Sequence, residues 1–392
     1  MNTKTIRHFG LSLFAGLVMT ACGGSDPKPA DKPAAAEPAK TEAAAPAATP
    51  TKLTGSVNVY NWVEYIPENM KANFETATGL KVNYDTFDTD ETLNAKIIAG
   101  NSGYDVVVPG AAWAEQQIKQ GKYLKLDKSK IPNYKNLDPA LMAQVAKMDP
   151  NNDYLVPWAW GFTGVGINEE KVKKALGKDT PLPENPFDLV FKPEYADKLK
   201  SCGIFMLDSP TEVMPAALQY LGKDASSTTL SDYDAALEML KKIRPDVRKF
   251  GDSSVINEVA DGNFCAFLAW SGDINTAAKR AGSNNIKMLL GHGGIVFFDT
   301  MAIPADSKNV DNAYAWINNS LDPKIGSVIT NELGYATANK AALEFVDKDM
   351  ADNKTIFLTP EVLAQMAPRR LPGTQEAAKA VNDTFRKFKT GK

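Results

Sequence analysis

Acidic side chains stand beside aromatic ones at several places in this chain, and the pairing points to one kind of chemistry. Trp62, Glu64 and Tyr65 follow the alternating run 56–60, and Trp270 and Asp273 lie within Trp270-Ser271-Gly272-Asp273. Phe297 and Asp299 flank Phe298, and Glu212 follows the turn Asp208-Ser209-Pro210. An organic diammonium has the complementary anatomy. Its ends take carboxylates through charge-assisted hydrogen bonds, its methylenes take flat apolar walls, and an ammonium over an indole or phenol face gains ~0.5–2 kcal/mol. Taken singly, an aromatic residue is more often core and an acid more often part of a solvated face. Their shared placement at expected strand ends lifts the set above its members.

Other chemistries lack parts. The two histidines are His8, in a removable leader, and His292, so no triad with two histidines and no multi-histidine metal site can be assembled. One His with a Ser and an Asp remains formally possible. The chain has no G-x-S-x-G elbow and no Walker-type phosphate loop. Gly161, Gly164 and Gly166 superficially look like a nucleotide-binding glycine loop, but their order and the lack of a strand-to-helix context argue against it. Carboxylate-only hydrolysis of a glycoside stays open, because paired acids can be remote in sequence. Lys and Arg number 44 against 47 Asp and Glu, a net charge of -3, which offers no basic excess for nucleic acid. The expectation is a binding protein, not an enzyme, with no cofactor and no metal.

The elements that must position these residues alternate strand and helix. A strand at 56–60 leads to an amphipathic segment at 68–78 ending at Gly79, a strand at 80–84, a helix at 91–99 closed by Gly100, and a strand at 104–108 broken by Pro109. This βαβαβ order predicts a mostly parallel open sheet, with ligands at the carboxyl ends of its strands. The glycine-studded aromatic stretch 154–167 suits a crossing between domains. A second alternating stretch has strands at 202–207 and 264–270, helices at 213–221 and 233–243, and a strand at 295–303 that can return to the first domain. A chain of 392 residues, 44% hydrophobic, holds enough for two domains.

Ahead of this body, Lys4 and Arg7 precede an apolar run at 9–19 and the small residues Thr20 and Ala21, the layout of a signal peptide too short to span a bilayer comfortably. Met19-Thr20-Ala21-Cys22 resembles a bacterial lipobox, which implies acylation of Cys22, although Met19 stands where Leu is more usual. Residues 23–54 are Ala, Pro, Lys, Glu and Thr with no large apolar residue before Leu53, a tether able to reach most of ~100 Å. The remaining cysteines, Cys202 and Cys265, form an even pair in an exported chain and read first as a disulfide, with two separate buried thiols as the alternative.

Several ordered motifs make a resemblance specific: Tyr60-Asn61-Trp62, the run 104–109, the run 207–212, Ala269-Trp270-Ser271-Gly272-Asp273 and the run 334–339. From about Gly55 to Lys392 the chain resembles the periplasmic spermidine/putrescine-binding proteins of polyamine ABC transporters. The resemblance implies an α/β, two-lobed periplasmic-binding-protein fold of type II. Each lobe would be a mixed, mostly parallel sheet flanked by helices, with a hinge between them, and the lobes would comprise 55–160 with 297–343 and 161–296 with 344–392. It also implies that Trp62, Trp270, Phe297 and Tyr335 wall an aliphatic chain while Glu212, Asp273 and Asp299 hold ammonium groups. Glu64 and Tyr65 would stand near one end, and Trp113 would shape a rim. A disulfide between Cys202 and Cys265 falls where putrescine-type members carry one.

Val63 and Gly110 depart from the pattern, standing where related putrescine binders often have serine hydroxyls. Losing a hydrogen bond to a charged group changes affinity by ~1.5–3 kcal/mol, enough to reorder related amines. The implied protein is a periplasmic, membrane-anchored lipoprotein and a monomer, with a polyamine ligand, an inner-membrane ABC permease as partner, and no contact with nucleic acid. The rival readings are an exported carboxylate-based glycoside hydrolase, the same fold for a sugar, iron or phosphate, and a sensor or adhesion protein that kept the fold.

Overall fold

The computed structural model describes residues 53–291 and 293–392. The expected leader, Cys22, nearly all of the tether and His292 lie outside the described residues.

Strand β1 (Ser56–Trp62) is flanked in parallel by β2 (Lys81–Phe87) and β3 (Val106–Val107). The two-residue period of β1 buries Val57 and Val59 and leaves Ser56 and Asn58 partly exposed. The helix Met70–Thr78 joins β1 to β2 and stops at Gly79, whose φ of 75° is left-handed. The helix Asp90–Ala99 joins β2 to β3 and begins at Thr89, whose hydroxyl accepts the Thr92 N–H. The strand expected at 104–108 shortens to two residues. Just before it, the buried Asp105 side chain accepts from the Asn58 N–H, the Ser307 hydroxyl and the Asn309 amide, tying this sheet to a later segment.

The second sheet is mixed, in the order β10-β9-β4-β7-β5-β6 with β8 also against β4. Here β4 is Val156–Asn168, β5 Ile204–Leu207, β6 Val247–Gly251, β7 Ala266–Trp270, β8 Ile286–Met288, β9 Ile295–Met301 and β10 Ala367–Pro368. β5 runs parallel to β6 and β7, and β10 parallel to β9. β4 is antiparallel to β7, β8 and β9. The stretch expected to cross between domains is thus one strand of 13 residues, buried at all but its last position. Its glycines answer to ring packing, not to phosphate: a Cβ on Gly166 would fall 2.4 Å from the Phe267 ring.

Isolated bridges join the end of the first sheet to the β9 segment, Val107 to Ala302 and Gly110 to Asp299, and a further bridge pairs Trp160 of β4 with Ala336. The helix Val310–Ser320 packs on β1 and β3, and Asn312 Nδ2 donates to the carbonyls of Thr54 and Ser56. At the other end, the helix Gln375–Thr390 packs on Pro210–Tyr220 and Leu230–Ile243, with Phe385 and Phe388 edge-on to Phe250. No helix among the described residues is long and apolar enough to cross a membrane.

Cys202 and Cys265 are joined as a disulfide, closing a loop of 63 residues between the end of one helix and the start of β7. On the chain-entropy model a loop of this size stabilises the fold by about 4 kcal/mol. The double variant C202S/C265S is therefore expected to melt lower by on the order of 5 °C in scanning calorimetry. An unchanged midpoint would mean that the bond does not restrict the unfolded chain.

Candidate functional site

The ends of two strands, the middle of a third and a helix end supply side chains to a common slot. Trp62 ends β1, and Val63 and Tyr65 follow it; Trp270 ends β7, and Asp273 lies in the first turn of the helix Ser271–Ala281. Phe297 and Asp299 lie inside β9, as the expected strand 295–303 already placed them, and not at a strand end like the other acid-aromatic clusters. The two-residue period places them on one face and turns Phe298 to the other, where it stacks on Trp160 at 6.1 Å. Tyr335 arrives just after the helix Pro323–Leu333, released by Gly334 in a left-handed conformation. These residues, with Ser253 and Arg369, line a narrow slot that is partly open to solvent.

The walls are aromatic and touch one another. Trp62 meets Trp270 edge-on at 6.1 Å and Phe87 at 4.7 Å, and its Nε1 donates to the Val108 carbonyl at 2.9 Å, which fixes the indole. Tyr65 and Tyr335 meet edge-on at 4.9 Å. Tyr335 closes over the start of the helix Ser271–Ala281 so tightly that a Cβ on Gly272 would sit 2.1 Å from its ring. Any side chain at position 272 would displace a slot wall.

The tyrosine hydroxyls each hold a carboxylate. Tyr335 donates to Asp273 Oδ1 at 2.7 Å and Tyr65 to Asp299 Oδ2 at 2.9 Å, giving a chain of contacts Asp273–Tyr335–Tyr65–Asp299. Burial pushes Asp273 up to about 6, against the Tyr335 hydrogen bond, which lowers it. Its Oδ2 is buried and makes no hydrogen bond of ordinary geometry, although the nearby Ser253 hydroxyl also favours the charged form. Burial also pushes Asp299 up to about 8, helped by repulsion from Asp90 and opposed by Arg369 and the Tyr65 hydroxyl.

Behind Asp299 lies a buried ionic group. Arg369 pairs with Asp90 Oδ2 at 2.9 Å and Glu212 Oε1 at 3.1 Å, and all three side chains are at least 95% buried. Asp90 Oδ1 accepts the Gly110 N–H at 2.9 Å, and Glu212 Oε2 accepts the Thr163 hydroxyl at 2.5 Å. Burial raises Asp90 to about 6, with Arg369 pulling it down. For Arg369, burial works against the charge, but facing Glu212, Asp90, Asp299 and Glu91 outweighs it and holds the guanidinium protonated.

A family profile described as bacterial extracellular solute-binding protein matches residues 69–357. The chain belongs to this family. Among relatives of this solute-binding protein, the putrescine-binding periplasmic protein PotF of Escherichia coli is 43% identical over 317 residues, 79% of this chain and 85% of that one. The putrescine-binding periplasmic protein SpuD of Pseudomonas aeruginosa is 41% identical over 342 residues, 86% of this chain and 92% of that one. A putative spermidine/putrescine ABC transporter structure from Listeria monocytogenes superposes with a TM-score of 0.77 at 28% identity, covering 86% of this chain and 100% of that one. The solute-binding fold is the two-lobed α/β architecture of these neighbours.

Of the residues singled out in the sequence of this solute-binding protein, Trp62, Tyr65, Trp270, Asp273, Phe297, Asp299 and Tyr335 meet in the slot. Glu64 does not line it; at a left-handed φ of 57° it turns outward and pairs with Arg280 at 2.5 Å. Glu212 stands behind Arg369, and Trp113 lines a separate hollow with Thr211, Leu371 and Pro372. Sequence reasoning missed Arg369 and Asp90. Arg369 sits next to Arg370, whose side chain is a third exposed, and no local pattern separates the buried arginine from its neighbour.

The raised Asp299 makes the empty site a source of instability with a defined pH dependence. Its folded pKa of about 8 exceeds the unfolded value of 3.8, so its contribution is intact below pH 4 and is lost progressively as pH rises to 8. D299N, which keeps an acceptor for Tyr65, is expected to melt at the same temperature as the parent at pH 4. Its advantage should grow up to pH 8 and then level off. A pH-independent difference in calorimetric midpoints would show that Asp299 is not strained by burial.

Proposed function

We propose that this solute-binding protein captures a linear aliphatic amine of the putrescine and spermidine class in the slot and delivers it to a membrane permease of an ABC importer. One observation carries the reading: Asp273 holds a buried oxygen with no partner beside the rings of Trp62 and Trp270. Leaving such a group unpaired is costly, and an ammonium placed there would remove the cost while gaining the ring faces. The polyamine names of the relatives point the same way.

Capture follows from where the walls originate. Trp62, Val63 and Tyr65 come from the first sheet and Ser253, Trp270 and Asp273 from the second, so a ligand touching both favours the closed arrangement over an open one. Closure excludes water and strengthens each ionic contact. The moving bodies are 55–160 with 297–343 and 161–296 with 344–392, and the permease reads the closed form. The chain works as a periplasmic monomer, held to a membrane by acylated Cys22 through the tether, and it releases its ligand unchanged.

D273N preserves the acceptor for Tyr335 and removes a buried charge whose folded pKa is raised, so the unliganded variant is expected to melt no lower than the parent, and higher above pH 6, while affinity for putrescine or spermidine falls at least tenfold in calorimetry. Because Asp273 titrates at about 6 in the empty site, parent affinity should weaken as pH drops below 6, approaching tenfold per unit. The variant should show no such slope. Equal affinity in parent and variant would remove Asp273 from the site.

A further inference from the structure

The two ends of the slot are chemically unlike. At the Asp273 end a buried carboxylate oxygen has no partner at ordinary hydrogen-bond geometry, with only the Ser253 hydroxyl nearby. At the Asp299 end every oxygen of the two outer carboxylates is committed: Asp90 to Gly110 and Arg369, Glu212 to Thr163 and Arg369. What lines the slot there is the guanidinium itself. Its Nε is buried with no partner, although the side chain is 95% buried and its other nitrogens are engaged by Asp90, Glu212 and the Thr211 hydroxyl.

Arg369 is also built in, not a passing surface contact. Its backbone N–H donates to the Val296 carbonyl at 2.7 Å, directly after β10 pairs with β9. The space around it is full. A Cβ on Gly110 would come within 2.8 Å of Asp90 Oδ2 and 3.2 Å of Arg369 Nη1, so a serine at position 110 cannot coexist with this ionic group as placed.

We infer that Arg369 is a specificity-determining residue that takes the place of a ligand's second ammonium, so that the preferred ligand is a linear monoamine ending in an uncharged oxygen acceptor, such as an N-acylated diamine. The inference rests on the proposed amine-binding role of the same slot. The ammonium occupies Asp273 Oδ2, the methylenes run along the aromatic walls, and the acyl carbonyl accepts from Arg369 Nε. Asp299, pushed up to about 8, is protonated at neutral pH and adds a donor to that end instead of an anion. A free carboxylate in place of the carbonyl is disfavoured, because Asp90 and Glu212 outnumber the one guanidinium. Buried donors left unmet by the wrong ligand discriminate more strongly than the presence or absence of a methylene.

The test is calorimetric titration at pH 7 with N-acetylputrescine, putrescine, spermidine and 4-aminobutanoate. The parent is compared with R369K and with D90N/R369M, which removes the arginine together with one of its counter-charges. Melting temperatures of the unliganded variants establish that each is folded. Should the double variant not fold, R369K carries the test, since it keeps a cation between Asp90 and Glu212 but lacks the Nε–H. The expected result is that the parent binds N-acetylputrescine at least tenfold tighter than putrescine, and that either folded variant loses that preference. A parent that prefers putrescine, spermidine or 4-aminobutanoate overturns the inference, as does a preference unchanged in the variants; in those cases amine binding itself still stands. Failure of every compound to bind the parent would instead remove the amine-binding role, and the inference with it.

Discussion

Four carboxylates and one guanidinium share a volume from which water is nearly excluded, and the balance of charge there constrains everything around it. Asp90, Glu212, Asp273 and Asp299 are each no more than 5% exposed, and Arg369 is equally enclosed. Isolated ions in such surroundings are expensive, so each acid must be neutralised, paired or hydrogen-bonded. Arg369 meets this need for Asp90 and Glu212, and tyrosine hydroxyls meet part of it for the other two. What is left unmet is a deficit of positive charge at Asp273. The empty protein is therefore less stable than its core alone would allow, and a ligand that supplies the missing cation recovers the difference.

The scaffold concentrates that deficit by simple means. Strand ends and first helical turns deliver short side chains to fixed points, as with Trp62 after β1 and Asp273 after β7. Small residues then let the rings approach: Gly272 under Tyr335 and Gly161 beside it, where an added Cβ would come 3.1 Å from the same ring. Rigidity follows because the indole of Trp62 and both tyrosines are each held by a hydrogen bond at the polar end and by another ring at the apolar face. Walls fixed in this way lose little freedom when a ligand enters.

Much of this was legible in the residues themselves. The first βαβαβ unit, the acid-aromatic clusters and the cysteine pair are local patterns, and local patterns survive into the fold. Three things were not legible. Phe297 and Asp299 fell inside the expected strand 295–303, and what was not legible was that a mid-strand face, paired with β4 as far as Met301, would line the slot. The direction of β4 was hidden for a related reason, since alternating strand and helix suggests parallel neighbours whereas β4 is the antiparallel member. Arg369 was hidden most deeply. Whether an arginine is buried depends on partners such as Asp90 and Glu212, and these are remote in sequence. Glu64 erred the other way, reading as a ligand group because it adjoins Trp62, while its backbone turns it toward Arg280.

Arg369, directly after the two-residue strand β10, lies close to the carboxyl-terminal helix, whereas Asp90 stands near the start of the folded body. Contacts between such distant parts of a chain form late, because the long intervening loop must first be closed. The acidic end of the slot thus has no counter-ion during most of assembly, and its acids favour hydration over enclosure until the tail docks. In a chain made amino-terminus first, the counter-ion of Asp90 is among the last parts supplied. The cavity matures only once the whole molecule is present.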